Sequence, residues 1–415
     1  MITRALSYKK KRSYSLSIPS LASFFLASYI VYNFGLMQTF LYIPYLSTVL
    51  LALAVGLTLL ADFGRLYFRQ MQGWVFLTLF FLLSTVTGLL FALNQEYVFT
   101  QVRFLAESLL FGYSLIRMAQ RSSGLSLVVF SILVCALLYA GYFLLTGGVN
   151  LGSGRYSMAE NINSNTLGVF LMFGIWCLME CCRKMKAFTL SIVLCVVGIA
   201  VMMYVIIQTG SRKAAIGTIV LITYWLIDYL GPIIKEKKII VKIATIIVTV
   251  FAVYYIASRY GALFFASSTR LMQRMDRLYQ TDYDTQWKFG MIADALRVWL
   301  EHPLFGVGLN NYRFFSAYGL YAHNSYAEAF ACTGLLGTVP LFAAFISPGK
   351  VILQAMHRKR VRRQSRISEG MYLILYLMFL YICFGQICFY NANLMMIFYV
   401  LIAYAVKRES EEADA

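Results

Sequence analysis

Charge is scarce in this chain. Only 13% of its 415 residues are Asp, Glu, Lys or Arg, while 60% are hydrophobic. That balance excludes an ordinary soluble protein, whose surface needs about twice that share of charge. Acidic residues number 18 and histidines three, against 36 lysines and arginines. The outer loops inferred below hold no cluster of carboxylates and histidines at metal-ligand spacing, so no metal or cofactor is called for. The eight cysteines (Cys135, Cys177, Cys181, Cys182, Cys195, Cys332, Cys383 and Cys388) lie in or beside apolar segments, without metal-ligand or disulfide-framework spacing. No lysine follows Gly306 and Gly308 at the spacing of a phosphate loop, which leaves them as turn glycines. Neither an internal repeat nor a soluble second domain is visible.

What is present is a succession of apolar runs. Each is long enough to cross roughly 30 Å of hydrocarbon as a helix, the class of structure a membrane permits. The runs fall near 18–37, 39–61, 73–93, 104–118, 125–145, 166–180, 187–208, 214–234, 239–257, 324–347, 370–389 and 394–406. The expected fold is therefore all-α: a single polytopic transmembrane domain over 1–415 with about twelve spans. The formal charge of +18 would suggest a nucleic-acid partner in a soluble domain. Here the basic residues sit between apolar runs, where they set topology and contact anionic membrane lipids. The Lys9-Lys10-Lys11-Arg12 start precedes a run too long for a signal peptide and lacking a small-residue cleavage site. It reads as a retained first helix starting in the cytoplasm. Lys/Arg bias then places the termini and the HRKRVRRQSR cluster (357–366) inside, in the cytoplasm.

The same bias puts one long hydrophilic stretch, 258–322, on the extracytoplasmic face, as a loop between the ninth and tenth spans. The orientation rule explains the inner cations without any function. It predicts against the outer ones: Arg103, Arg155, Arg212, Lys213, Arg270, Arg274, Arg277, Lys288, Arg297 and Arg313. Some pair with lipid phosphates; several converging on one cavity would bind a doubly charged phosphate group. The loop ends on His323-Asn324-Ser325-Tyr326-Ala327-Glu328, where water meets hydrocarbon. A histidine there is either a helix-start residue or a base for a substrate presented from the bilayer. Asn324 and Glu328 are candidate orienters or sugar ligands. Tyr312, Tyr318, Tyr321 and Tyr326 are candidates for stacking on sugar faces. Asp282-Tyr283-Asp284 matches a metal-binding D-x-D pattern but lacks the α/β domain that pattern needs. His302 reads as a loop-structuring residue and His357 as a solvated one.

Four stretches carry a resemblance. QTGSRKAAIG (208–217), HPLFGVGLNNYR (302–313), HNSYAEAFACTGLLG (323–337) and NINSNTLG (161–168) resemble motifs of the O-antigen ligase and polymerase family. They occur in the family's order and on one membrane face, over about residues 150 to 340. The resemblance implies a membrane glycosyltransferase in the bacterial cytoplasmic membrane, its site facing outside. It also implies a donor glycan on undecaprenyl pyrophosphate, an acceptor glycan, and a chain-length regulator and a flippase as working partners. Ahead of HPLFGVG the family places an arginine where this chain has Lys288, which keeps the charge and loses the planar fork. A pyrophosphate carrier is already a good leaving group, so the protein must neutralise its charge, orient the sugar and relieve the acceptor hydroxyl of a proton. The catalytic candidates are Arg212 for the charge and His323 for the proton. Arg155, Lys213, Arg270, Lys288, Arg313, Asn324, Tyr326 and Glu328 are the candidate substrate ligands.

Overall fold

A computed structural model describes residues 17–63, 71–121, 124–150, 156–158, 163–185, 188–234, 283–361 and 367–413. The expected ninth span, the loop as far as residue 282, Arg155, Arg270, Arg274, Arg277 and the basic stretch at 362–366 lie outside the described residues.

The described chain is all-α apart from one two-residue antiparallel pair, Val149–Asn150 with Tyr156–Ser157. Thirteen helices are described: α1 (Ile18–Thr39), α2 (Leu46–Asp62), α3 (Gln72–Phe91), α4 (Gln95–Ala119), α5 (Gly124–Thr146), α6 (Ser164–Arg183), α7 (Phe188–Thr209), α8 (Arg212–Ile234), α9 (Tyr283–Glu301), α10 (Tyr312–Phe315), α11 (Ser325–Val361), α12 (Ile367–Cys383) and α13 (Ala392–Ala413). Six are long and apolar enough to cross a membrane: α1, α3, α5, α6, α11 and the Leu190–Thr209 part of α7. Leu46–Asp62 and Ser368–Cys383 are shorter apolar helices. The protein is a multi-pass membrane protein. Helices α4 and α13 stand where spans are expected but carry more charge: Glu96, Arg103, Glu107 and Arg117 in α4, and the KRESEEA end of α13.

Burial separates centre from periphery. In α6, 83% of the apolar window is buried inside the protein, against 28% in α3, so α6 is a core helix and α3 is left largely to lipid. Trp176 of α6, fully buried, donates its indole N–H to the Met371 carbonyl of α12 at 3.1 Å. Tyr372 and Tyr404 stack at 3.6 Å and tie α12 to α13.

The ion pairs that join different helices collect at one end of the bundle. Arg117 meets Asp62 at 2.6 Å, and Arg121 reaches Ser23 at 2.8 Å. Lys184 reaches Ser126 at 3.1 Å, while buried Glu369 holds Lys359 and Arg408, both at 2.8 Å. The opposite end gathers the α3–α4, α7–α8 and α12–α13 turns, the approach to α6 and the start of α11.

The hydrophilic stretch before the tenth span contains a helix, Tyr283–Glu301, which is α9. Its buried Met291, Ala295 and Val298 recur at helical spacing, and Ala295 and Val298 share a small core with Val307, Tyr312, Ala322, Ala327, Ala331 and Cys332. Its apolar stripe is too narrow to stand out as a membrane-length run.

The kink in α11 positions everything that follows. Gly334 takes φ 55°, ψ −161°, a backbone conformation open to glycine and closed to residues with a Cβ. The break takes four backbone groups out of the helical ladder, and the 303–308 loop supplies their partners. Val307 and Gly308 donate to the Ala331 and Cys332 carbonyls at 2.9 Å each. Leu335 and Leu336 donate to the Pro303 and Leu304 carbonyls at 2.9 and 3.1 Å. The HPLFGVG and ACTGLLG stretches are thus two halves of one interlock.

Candidate functional site

The turns at this opposite end of the bundle are joined by polar side chains. Asn311 accepts from the Asn94 N–H at 2.8 Å and donates back to the Asn94 carbonyl at 3.1 Å, pinning the HPLFGVGLNNYR loop to the α3–α4 turn. Gly168 of α6 leaves room for Ser211, whose Cβ would lie 2.7 Å from an added Cβ, so the α7–α8 turn seats directly on α6. Asn391 donates to Thr166 at 3.3 Å, and Gln101 of α4 donates to the Phe389 carbonyl at 2.8 Å. Four stretches far apart in sequence therefore meet at one place.

Between them lies a cavity of about 500 Å³. Six carboxamide side chains line it: Gln101, Asn163, Asn165, Asn310, Gln386 and Asn391. So do Trp287, Tyr321, Tyr390, Thr166, Lys288, Arg313 and His323, and no carboxylate does among the described residues. Lys213 lies against Gly385 on the same wall, in space that a side chain at 385 would fill. Arg212 opens α8 half-buried beside it and does not line the cavity, though its charge acts on Lys213. Of the eight expected site residues that are described, the structure brings four together: Lys213, Lys288, Arg313 and His323.

Arg313 is held in a fixed pose. Its guanidinium carbon lies 4.9 Å from the Tyr97 ring centre and 5.9 Å from that of Tyr321, and its Nη2 donates to Asn310 at 2.6 Å. Its Nε and the Oε1 of Gln386 are buried without a hydrogen-bond partner among the described residues. A donor and an acceptor are thereby left for a ligand.

His323 sits in the left-handed region, φ 51°, with its ring 4.2 Å from that of Tyr321. Burial, then the charges of Lys288 and Lys213, lower its pKa below the usual 6.5. The imidazole is therefore neutral at pH 7 and able to accept a proton.

The neighbours of His323 in sequence support the turn. Asn324 caps α11, accepting from the Tyr326 and Ala327 N–H groups at 2.9 and 3.0 Å. Ser325 donates to the Gln386 carbonyl at 2.7 Å. Tyr326 donates to the Leu380 carbonyl at 3.0 Å and packs on Phe384. Glu328 is buried, its carboxylate accepting the Ala322 N–H at 2.7 Å. None of Asn324, Tyr326 and Glu328 lines the cavity.

Other expected residues are engaged elsewhere. Arg297 bridges Asp294 and Glu301 on α9. Tyr312 is fully buried and donates to Asp294 at 2.9 Å, which leaves no ring face for a sugar. Tyr318 packs against Trp287. Of the tyrosines, Tyr321 is the one on the cavity wall that the sequence singled out; Tyr390 joins it there. Sequence reasoning missed Gln101, Gln386 and Asn391, whose signal was a carboxamide inside or between apolar runs.

Residues 197–342 match the family described as O-antigen ligase. The chain is also 23% identical over 329 residues to the teichuronic acid biosynthesis protein TuaE of Bacillus subtilis (strain 168). That alignment covers 73% of this chain and 65% of the relative, so the chain spans less than two thirds of the length of the protein it matches.

Proposed function

We propose that this chain, which carries an O-antigen ligase family domain, is a membrane glycosyltransferase that polymerises oligosaccharide repeat units carried on undecaprenyl pyrophosphate. The reading rests on one observation: a cavity that joins cations and a neutral histidine to carboxamides and aromatic rings, with no carboxylate on its described wall. Lys213, Lys288 and Arg313 suit a pyrophosphate, with Arg212 reinforcing their field. Carboxamides and the Tyr321 ring suit sugar hydroxyls and sugar faces. The acceptor hydroxyl oxygen attacks the anomeric carbon, and the bond from that carbon to the pyrophosphate oxygen breaks. The leaving group takes the electron pair and His323 takes the hydroxyl proton. The positive charge comes from side chains, so turnover persists in EDTA. The site lies at the end of the bundle away from the Asp62, Glu180 and Glu369 ion pairs, on the extracytoplasmic face by the Lys/Arg bias.

The family's description favours a second reading, a ligase that passes the lipid-linked glycan to a different acceptor. The relative's name, a teichuronic acid biosynthesis protein, fits polymer synthesis as well as transfer. A flippase is a third class, and the cations gathered at one end of the bundle rather than at mid-membrane argue against it. Purified protein given lipid-linked repeat unit alone separates the three. Long chains are the expected product. Reaction only after a second acceptor is added means ligase, and no covalent change under either condition overturns the glycosyltransferase reading.

A further inference from the structure

Helix α9 has two apolar faces, and packing within the described protein covers only one of them. Met291, Ala295 and Val298 are buried, and Trp299 packs on Phe330 of α11 with ring centres 4.8 Å apart. On another side Phe289, Leu296 and Leu300 are 67%, 39% and 70% exposed. At about 3.6 residues per turn these three, with Ala293, fall within roughly 60° of one another and form a single row. A polar flank lies about 100° round the helix from that row. There Arg297 bridges Asp294 at 2.9 Å and Glu301 at 2.7 Å.

Helix α3 fixes the level at which α9 sits. It runs 20 residues, Gln72–Phe91, a length of about 30 Å that matches the hydrocarbon layer. Its last ring, Phe91, stacks on Phe305 at 5.0 Å, and Phe305 lies in the short loop that follows α9. The other end of α9 is held at the same end of the bundle, where Trp287 and Lys288 line the basic cavity. Tied down at both ends, α9 runs across the membrane boundary and not out into water. Leu304 and Phe305, both exposed, carry the apolar row on to exposed Leu90 and Phe91 of lipid-facing α3. A row continuous with a lipid-facing helix has lipid as its neighbour.

We propose that α9 is an interfacial helix that docks on phospholipid. Its Phe289–Leu296–Leu300 row enters the leaflet at the cavity end of the bundle, and its Asp294–Arg297–Glu301 flank faces water. The remaining side meets the protein and carries Lys288 to the cavity at the depth of the lipid headgroups. The docking depends on the membrane fold and not on the chemistry of the cavity.

Nitroxide labels placed one at a time on Phe289→Cys, Leu300→Cys and Glu301→Cys test it. The full-length protein is reconstituted into bilayers of phosphatidylethanolamine and phosphatidylglycerol. All three positions are exposed, so a label fits without repacking. The native cysteines stay, and unsubstituted protein taken through the same labelling supplies the background. Each label reports its collisions with oxygen, which concentrates in hydrocarbon, and with a water-soluble nickel chelate. Oxygen dominates at 289 and 300, and nickel dominates at 301. Nickel dominating at all three positions puts the row in water and overturns the docking. Protection from both reagents at 289 and 300 puts the row against protein, from a second copy or from elsewhere in this chain, and overturns it equally. Oxygen dominating at 301 as well sinks the whole helix into the bilayer and removes the interfacial placement.

Discussion

At the scale of single residues, His323 draws its character from burial first and then from two lysines delivered by different helices. Lys213 lies in the first turn of α8 and Lys288 stands on α9, and both charges add to burial in disfavouring the imidazolium. If the neutral ring is the base, kcat/KM rises with pH through its pKa and levels off above it, so the acidic limb lies below about 6.5. Lys288→Gln removes one opposing charge, the imidazolium becomes easier to form, and the limb moves to higher pH. Lys288→Arg keeps the charge and leaves the limb in place. The position of the limb, not the height of the plateau, is the readout, because both variants also alter donor binding. His323→Ala lowers turnover roughly 10²- to 10⁴-fold while the purified protein keeps its thermal stability. A folded His323→Ala protein working at the normal rate would remove the histidine from the mechanism.

At the scale of elements, the site depends on a break in a helix. The four hydrogen bonds between residues 303–308 and 331–336 form only because Gly334 leaves the helical path, and they hang Asn310 and Arg313 at the cavity mouth. In Gly334→Ala the added Cβ meets the Leu304 backbone and the φ of 55° becomes strained. The expected cost is about 1–3 kcal/mol, seen as a lower Tm, together with loss of donor binding. Gly141→Ala on α5, with open space around the new Cβ, raises stability by up to about 1 kcal/mol and serves as the control. Only part of this was legible in the sequence. The long helices follow from apolar runs, and Lys213, Lys288, Arg313 and His323 stood out as ionisable residues where the Lys/Arg bias predicts few. Helix α9 did not stand out, because its buried Met291, Ala295 and Val298 alternate with polar residues and never build a membrane-length run. Gln101, Gln386 and Asn391 were equally hidden. Each is unremarkable alone, and only the packing of α4 against the α12–α13 turn brings them to one wall.

At the scale of the whole molecule, the two ends of the bundle have different chemistry, and that difference underlies the proposed orientation of the site. One end fastens helices with ion pairs of Asp62 with Arg117 and of Glu369 with Lys359 and Arg408, and carries the local Glu180–Arg183–Lys184 pairs at the end of α6. The other fastens them with carboxamides, serine and backbone groups, and leaves its cations around a cavity. On the proposed orientation, in which concentrated Lys and Arg mark the cytoplasmic end, the cavity faces outward, the side on which the proposed lipid-linked donor is presented. Leu320→Cys and Arg360→Cys test this in intact cells with a membrane-impermeant thiol reagent. Leu320 is 38% exposed near the cavity, and Arg360 lies in the last turn of α11 at the opposite end. The native cysteines can stay: seven of the eight are buried, and Cys181 is half-buried near the charged end of α6. The expected result is labelling at 320 in intact cells and at 360 only after lysis. Labelling at 360 and not at 320 in intact cells would invert the protein. The cavity would then open to the cytoplasm, and a reaction drawing on glycans outside the membrane would be ruled out however well the side chains suit it.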